Sequence, residues 1–383
     1  MSYTTTTHRQ RFSKPAMKLL VFAQTPPPHH GQSAMIRLML EELGRPGQAF
    51  KLYHVNLRLS EDSADVGRWR LSKVVPLLGA CLKALVIRWR HGPMALYYVP
   101  APAKRGALYR DWVVMALCRP FFPQLVLHWH AVGLGHWLEN SAKTIERRIT
   151  RRLLGKADLS IVLAPEVAGD VAILWPKRVA IVQNSLSESG VLPPPRHRKA
   201  GECFEILFIG LCSEEKGFFD TLDAFALLHA RNPGAYRLTI AGAFDSEAAE
   251  QRFLDRAREF KTAVRFLGFV GPEAKRKLFT ESDVLCFPTY NQHEGQPLVL
   301  IEALAHDVPI VTTKWRAIPD MLPRKFVWYV DQRRPDQIAE SIFKARQEGE
   351  PNGVLREHYL LNFTPAQHVS ALKRALLSIE AAS

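Results

Sequence analysis

Short apolar runs alternate with amphipathic stretches through both halves of the chain. Met17–Ala23, Phe50–Val55, Ala95–Val99, Leu125–His128, Leu159–Leu163 and Val179–Val182 are short and rich in β-branched and aromatic residues, which predicts buried strands. Phe204–Ile209, Leu238–Ala241, Val264–Leu267, Val284–Phe287, Pro309–Thr313 and Phe326–Val330 repeat the theme in the second half. Gln32–Leu43 and Phe218–Ala230 carry the helical period between strands, the second closed by Asn232-Pro233-Gly234. Strands alternating with helices predict an α/β protein of two doubly wound parallel sheets facing each other. Pro193-Pro194-Pro195 and the basic residues after it mark a linker over 193–202. The expected division is a disordered tail over 1–16 and one domain over 17–192. A second domain covers 203–358, and a C-terminal helix over 359–383 returns towards the first.

The stretch from His293 to Ala305 joins two of these strands. Pro297 suits the first position of a helix, where its missing N–H costs nothing. Leu298, Ile301, Leu304 and Ala305 then recur as a core-facing stripe. The helix start offers free N–H groups and a positive end, which suit a phosphate. Glu294 lies in the loop, and Glu302 stands about 7–8 Å along the helix axis, the span from a diphosphate to the ribose of one nucleotide. The same spacing fits an ordinary crossover helix with two solvated glutamates. Lys216, after one strand and ahead of a helix, is placed as a point charge for a phosphate or as a surface lysine. Gly31, behind the turn Pro26-Pro27-Pro28-His29-His30, precedes a helix where the backbone can approach a ligand. In Leu127-His128-Trp129-His130-Ala131-Val132-Gly133 a strand ends in histidine and runs into a glycine-bearing loop, with His128 and His130 on one side by alternation.

Length and charge add to this. The 383 residues suffice for two domains with full cores. The formal net charge is +14, and residues 1–195 hold 26 Lys and Arg against 12 Asp and Glu, so the whole excess lies in the first half. A basic half points to an anionic partner such as a membrane surface. The apolar run Val74–Ile87 is interrupted by Pro76 and Lys83 and falls short of the ~20 residues of a span. Arg68-Trp69-Arg70 and Arg88-Trp89-Arg90 bracket it, as in an interfacial membrane element or a helix packed on the sheet with solvated ends. The 5 cysteines are odd in number and scattered, without metal-ligand spacing, which points to a reducing compartment. With no apolar leader among the first 16 residues, the expected location is cytoplasmic, peripheral on the inner face of the membrane. No G-x-G-x-x-G follows a strand, which disfavours a dinucleotide-dependent oxidoreductase. No recognition motif supports nucleic acid as a partner.

Together these segments resemble the family 4 retaining glycosyltransferases of the GT-B fold, also described as glycosyltransferase group 1. Glu294 and Glu302 match that family's paired glutamates, and residues 208–225 resemble its phosphate loop through Gly210, Glu215, Lys216 and Gly217. The likeness covers most of the chain and is closest in its C-terminal half. It implies a nucleotide-sugar donor on the C-terminal domain and a glycan or lipid-linked acceptor on the N-terminal one, in cell-surface polysaccharide or glycolipid synthesis. No metal and no separate cofactor is implied. Lys216 would hold the donor diphosphate, Glu302 the ribose hydroxyls, and His130 would lie against the reacting sugar. Glu294 and the backbone of Gly295, Gln296, Pro297 and Leu298 would contact the sugar and phosphates. Gly210 would shape the phosphate loop, and Gly31 would close on the phosphates from the other domain. His130, Glu294 and Lys216 are the implied catalytic group. Two departures stand out: Leu211 occupies the place of the family's phosphate-loop arginine, and Ser185 that of the glycine after Asn184. The alternatives are a nucleotide-sugar epimerase of the same fold and a non-enzymatic basic nucleic-acid binder.

Overall fold

The computed structural model describes residues 17–27, 31–45, 47, 49–57, 74–186, 197 and 201–380. The expected tail over 1–16, the turn residues 28–30, the basic segment over 58–73 and most of the 193–202 linker lie outside them.

The first sheet contains β1 (Met17–Phe22), β2 (Phe50–Val55), β3 (Ala95–Tyr98), β4 (Gln124–His128), β5 (Leu159–Val162) and β6 (Val179–Ile181). Their order is β2-β1-β3-β4-β5-β6, paired in parallel throughout. The second contains β7 (Phe204–Ile209), β8 (Tyr236–Ala241), β9 (Val264–Phe266), β10 (Val284–Phe287), β11 (Ile310–Thr313) and β12 (Val327–Val330). Its order is β12-β11-β10-β7-β8-β9, again parallel. Central strands such as β3, β5 and β10 are buried along their whole length, because helices cover both faces of a parallel sheet.

Strand order reverses between β1 and β3 in the first sheet and between β7 and β10 in the second. At such a point the loops after the two strands leave towards opposite faces, opening a crevice at their carboxyl ends. Those loops carry Gly31 in the first domain, and Lys216 with His293–Leu298 in the second. His128 ends β4, one strand further along the first sheet.

A single core of the second domain runs from Phe204 to Phe363. The first domain buries one cluster on each face of its sheet. On one face, helices Val74–His91 and Arg105–Cys118 contribute Leu77, Cys81, Ala84, Leu108 and Met115. On the other, helix Gly31–Leu43 packs beside the final helix, Pro365–Glu380, through Ile36, Met39, Leu372 and Leu376. The preceding helix, Val354–Asn362, stays with the second domain, and the Asp307 carboxylate accepts from the amides of Gly353 (2.6 Å) and Leu355 (3.0 Å) at its start. The chain therefore crosses back between Phe363 and Pro365. Among the described residues, no helix is long and apolar enough to cross a membrane.

Candidate active site

The second domain builds one wall of the cleft from two loops. After β7, a turn of 3-10 helix at Glu214–Lys216 leads through Gly217 into helix Phe218–Arg231. Gly217 has φ +71, and a Cβ there would stand 2.4 Å from the Pro288 carbonyl oxygen, so the two loops meet only because this residue lacks a side chain. The Tyr290 amide donates to the Glu215 carbonyl at 2.8 Å and ties them further. Gly210, at the end of β7, lies where a Cβ would be 3.3 Å from the Phe287 ring.

These ties bring Lys216 and Glu294 together. The ammonium donates to the carboxylate, and the pair is mostly buried, with side-chain exposures of 18% and 10%. Thr289 Oγ1 donates to the same Glu294 oxygen at 3.2 Å, and Lys216 Nζ lies 5.4 Å from the Phe287 ring centroid. The sequence expectation for Pro297 is corrected here. Its ψ of 121° is extended, so it caps the helix, and the first helical residue is Leu298. The first amide of the helix bonded within this turn is that of Leu300, to the Pro297 carbonyl at 3.2 Å. Glu302 lies further along this helix, its carboxylate 2.5 Å from Lys275 Nζ of helix Pro272–Glu281.

The first domain supplies the facing wall. Gly31 is the first residue of its helix, whereas the sequence places it just ahead. A Cβ on Gly31 would be 3.2 Å from Leu298 Cδ1, so the two helix starts face each other across the cleft. His130 lies in the loop after β4, and its carbonyl oxygen would be 2.5 Å from a Cβ on Gly295. The rings of His128 and His130 lie in tilted contact with centroids 4.2 Å apart, on one side as strand alternation requires. His128 is buried and hydrogen-bonded through Nδ1 to the Tyr97 hydroxyl. Burial holds its imidazole well below the usual range, and the neighbouring His130 and His368 push the same way.

Gln296 has a structural role as well. It is buried, its side-chain oxygen accepts from the Asn184 amide at 2.6 Å, and its carbonyl accepts from Asn184 Nδ2 at 3.1 Å. It works as a strut across the domain seam. Leu211, in the phosphate-loop position of the expected arginine, is 45% exposed.

Three side chains at the cleft escaped sequence reasoning. Lys275 sits in a charged helix that reads as solvated, and only the tertiary fold pairs it with Glu302. Arg316 follows β11 with φ 50°, and its Nη2 would be 4.0 Å from a Cβ on Gly133 across the cleft. His293 is half-buried, and its backbone amide donates to Asn291 Oδ1 at 2.8 Å. Burial, more than the nearby Lys104 and Arg316, lowers the pKa of His293. Among the described residues, no group of His, Cys, Asp and Glu is arranged to hold a metal ion.

Two Rossmann-like domains that close on a cleft between their switch points define the GT-B fold, as the sequence resemblance implies. Residues 203–347 match the family model described as Glycosyl transferases group 1. Over that segment the chain is thus similar to the group 1 glycosyltransferases. It is 26% identical over 216 residues to a glycogen synthase of Mycobacterium tuberculosis, a match covering 53% of this chain and 50% of that one. The chain spans about half the length of the curated relatives it matches. Sucrose-phosphate synthase from Thermosynechococcus elongatus shares the architecture with a TM-score of 0.71 and 15% identity, over 96% of this chain and 100% of that one. Anabaena HepE in complex with UDP and glucose superposes with a TM-score of 0.66 and 13% identity, over 94% and 100%. At these identities the structural likeness speaks to the fold.

Proposed function

We propose that the protein transfers a sugar, with retention of anomeric configuration, from a nucleotide-sugar donor to a hydroxyl of a glycan or lipid-linked acceptor in polysaccharide or glycolipid synthesis. The observation that carries this reading is the Lys216–Glu294 pair beside the start of helix Leu298–Ala305, at one switch point and facing His130 and Gly31. A donor diphosphate entering there takes Lys216 as its counter-charge and the first amides of the helix as donors. Glu294, released from the lysine, accepts from hydroxyls of the transferred sugar. Glu302, oriented by Lys275, accepts from the ribose hydroxyls. His130 lies against the reacting sugar from the opposite domain.

In the reaction the bond from the anomeric carbon to the diphosphate oxygen breaks, and the diphosphate keeps the electron pair. Lys216 and the helix amides stabilise that growing charge in a site with little water, where preorganised donors act most strongly. The acceptor oxygen bonds to the anomeric carbon and passes its proton to the departing diphosphate oxygen. In this reading no metal takes part. HepE, whose structure contains UDP and glucose, and the glycogen synthase relative support the donor class by analogy.

Thermal melting with UDP-, GDP- and ADP-sugars should reveal one donor that raises the melting temperature, since a ligand bound to the folded state stabilises it. With that donor and an acceptor, NMR of the product should show the donor's anomeric configuration. Inverted product overturns the retaining assignment. Nucleotide release with a rearranged sugar in the absence of acceptor points to an epimerase instead.

A further inference from the structure

We infer that the outer face of helix Val74–His91 is a docking surface for an anionic lipid bilayer. Its inner face is accounted for, since Leu77, Cys81 and Ala84 are buried in the domain core. A second apolar face is left over. Val75, Leu78, Leu82, Val86 and Trp89 are all exposed, with Val75 at 76%, Leu82 at 63% and Trp89 at 83%. They recur at three- and four-residue steps, which at about 100° per residue confines them to an arc of roughly 80°. Leu117 and Phe121, at the end of the neighbouring helix, are exposed as well. Arg88 Nε donates to the Phe121 carbonyl at 2.8 Å and fixes the two segments together.

Charge selects the occupant. From residue 74 to 110 the sequence has 6 Lys and Arg and no Asp or Glu. Lys83 and Arg90 are exposed and border the apolar arc on one side. Aliphatic residues and a tryptophan on one face, with cations along the edge, suit a helix lying in the plane of a membrane. The apolar side chains enter the acyl boundary, the indole sits at headgroup level, and the cations meet lipid phosphates. At 1.5 Å per residue the 18-residue helix offers about 27 Å of such contact.

The orientation of the helix links this surface to the cleft. It follows β2 and returns to the foot of the sheet, where Lys18 Nζ at the start of β1 donates to the His91 carbonyl at 2.8 Å. Its Val75 end therefore lies on the side of the sheet where the cleft opens, and Trp89 lies at the opposite end. A membrane along this helix places the cleft rim beside the lipid, which favours a lipid-linked acceptor. That last step rests on the proposed glycosyl transfer; the lipid contact does not.

The test is flotation of the full chain with vesicles of neutral phosphatidylcholine alone or with 30 mol% (about one lipid in three) phosphatidylglycerol, a load that gives a clear surface potential. The expected result is flotation with the anionic vesicles only, weakened by 0.5 M salt, where screening falls to roughly 4 Å. Flotation should drop about tenfold or more in Leu82→Ser/Trp89→Ser, which removes apolar contact, and in Lys83→Glu/Arg90→Glu, which reverses charge. Both variants should melt as the parent does, since the altered side chains point away from the core. Absence of binding to anionic vesicles overturns the proposal, as do variants that float like the parent. A dimer in light scattering that Leu82→Ser/Trp89→Ser dissociates also overturns it, because the face then belongs to a second copy.

Discussion

Lys216 and Glu294 neutralise each other where little water reaches either side chain, so each depends on the other for its position. Removing one partner of a buried pair leaves the other charge poorly solvated. Lys216→Ala should therefore lower kcat/KM by about 10²–10³-fold, the usual loss when a preorganised donor to a developing anion is deleted. Steady-state kinetics with the matched donor measures this, and unchanged kcat/KM would remove Lys216 from the chemistry. Glu294 retains its bond from Thr289 in that variant, so the loop should keep its form. At this scale the legible feature was placement, which follows from position in the chain: Lys216 and Glu294 in loops after strands, Gly31 at a helix start. Lys275 and Arg316 were not legible. Their partners lie on other elements, and a basic residue in a polar helix or loop looks the same whether it faces solvent or a cleft.

At the scale of elements, glycine sets how closely loops approach. Gly217→Ala would place a methyl 2.4 Å from the Pro288 carbonyl oxygen at a residue with φ +71, so strain and clash add. Urea unfolding should show a loss of about 2–4 kcal/mol. A change below ~0.5 kcal/mol, the level of an ordinary surface substitution, would mean the loops do not meet as described. Gly295→Ala acts between domains instead, meeting the His130 carbonyl oxygen at 2.5 Å. Its expected effect is a more open cleft, seen as a larger radius of gyration in small-angle X-ray scattering and a higher KM for donor. Unchanged scattering and KM would show that the seam yields elsewhere. The strands and the helices at Gln32–Leu43 and Phe218–Ala230 were readable because their periodicity is local. The start of helix Leu298–Ala305 was misplaced by one residue because ψ at Pro297 is set where Gln296 is tied to Asn184 in the other domain, which no local pattern records.

Across the whole molecule, the alternation of strands and helices was enough for two doubly wound domains, and basic residues concentrated in the first half agree with the lipid contact proposed for helix Val74–His91. The sheet orders, with their switch points, were beyond the sequence, since strand neighbours depend on which helix covers which face. Buried and half-buried histidines give the molecule a definite response to pH. His54, His128, His293, His306 and His368 all have lowered pKa values, in each case through burial first. The unfolded chain takes up protons near pH 6.5, while the folded chain does so only at lower pH. Stability is therefore full above about pH 7 and declines as pH falls through 6.5 towards the folded-state values. Calorimetry should show Tm dropping between pH 7.5 and 5.5, and a constant or rising Tm would mean these imidazoles are not held neutral.

Everything proposed for the cleft depends on its holding a nucleotide-sugar diphosphate at Lys216. Isothermal titration of the matched nucleoside diphosphate into the parent and Lys216→Ala proteins tests it without relying on turnover. The parent should show a single site, and the variant affinity weaker by about tenfold or more, as loss of a charge-assisted contact of about 1.5–3 kcal/mol requires. Equal affinity in the two proteins would contradict it.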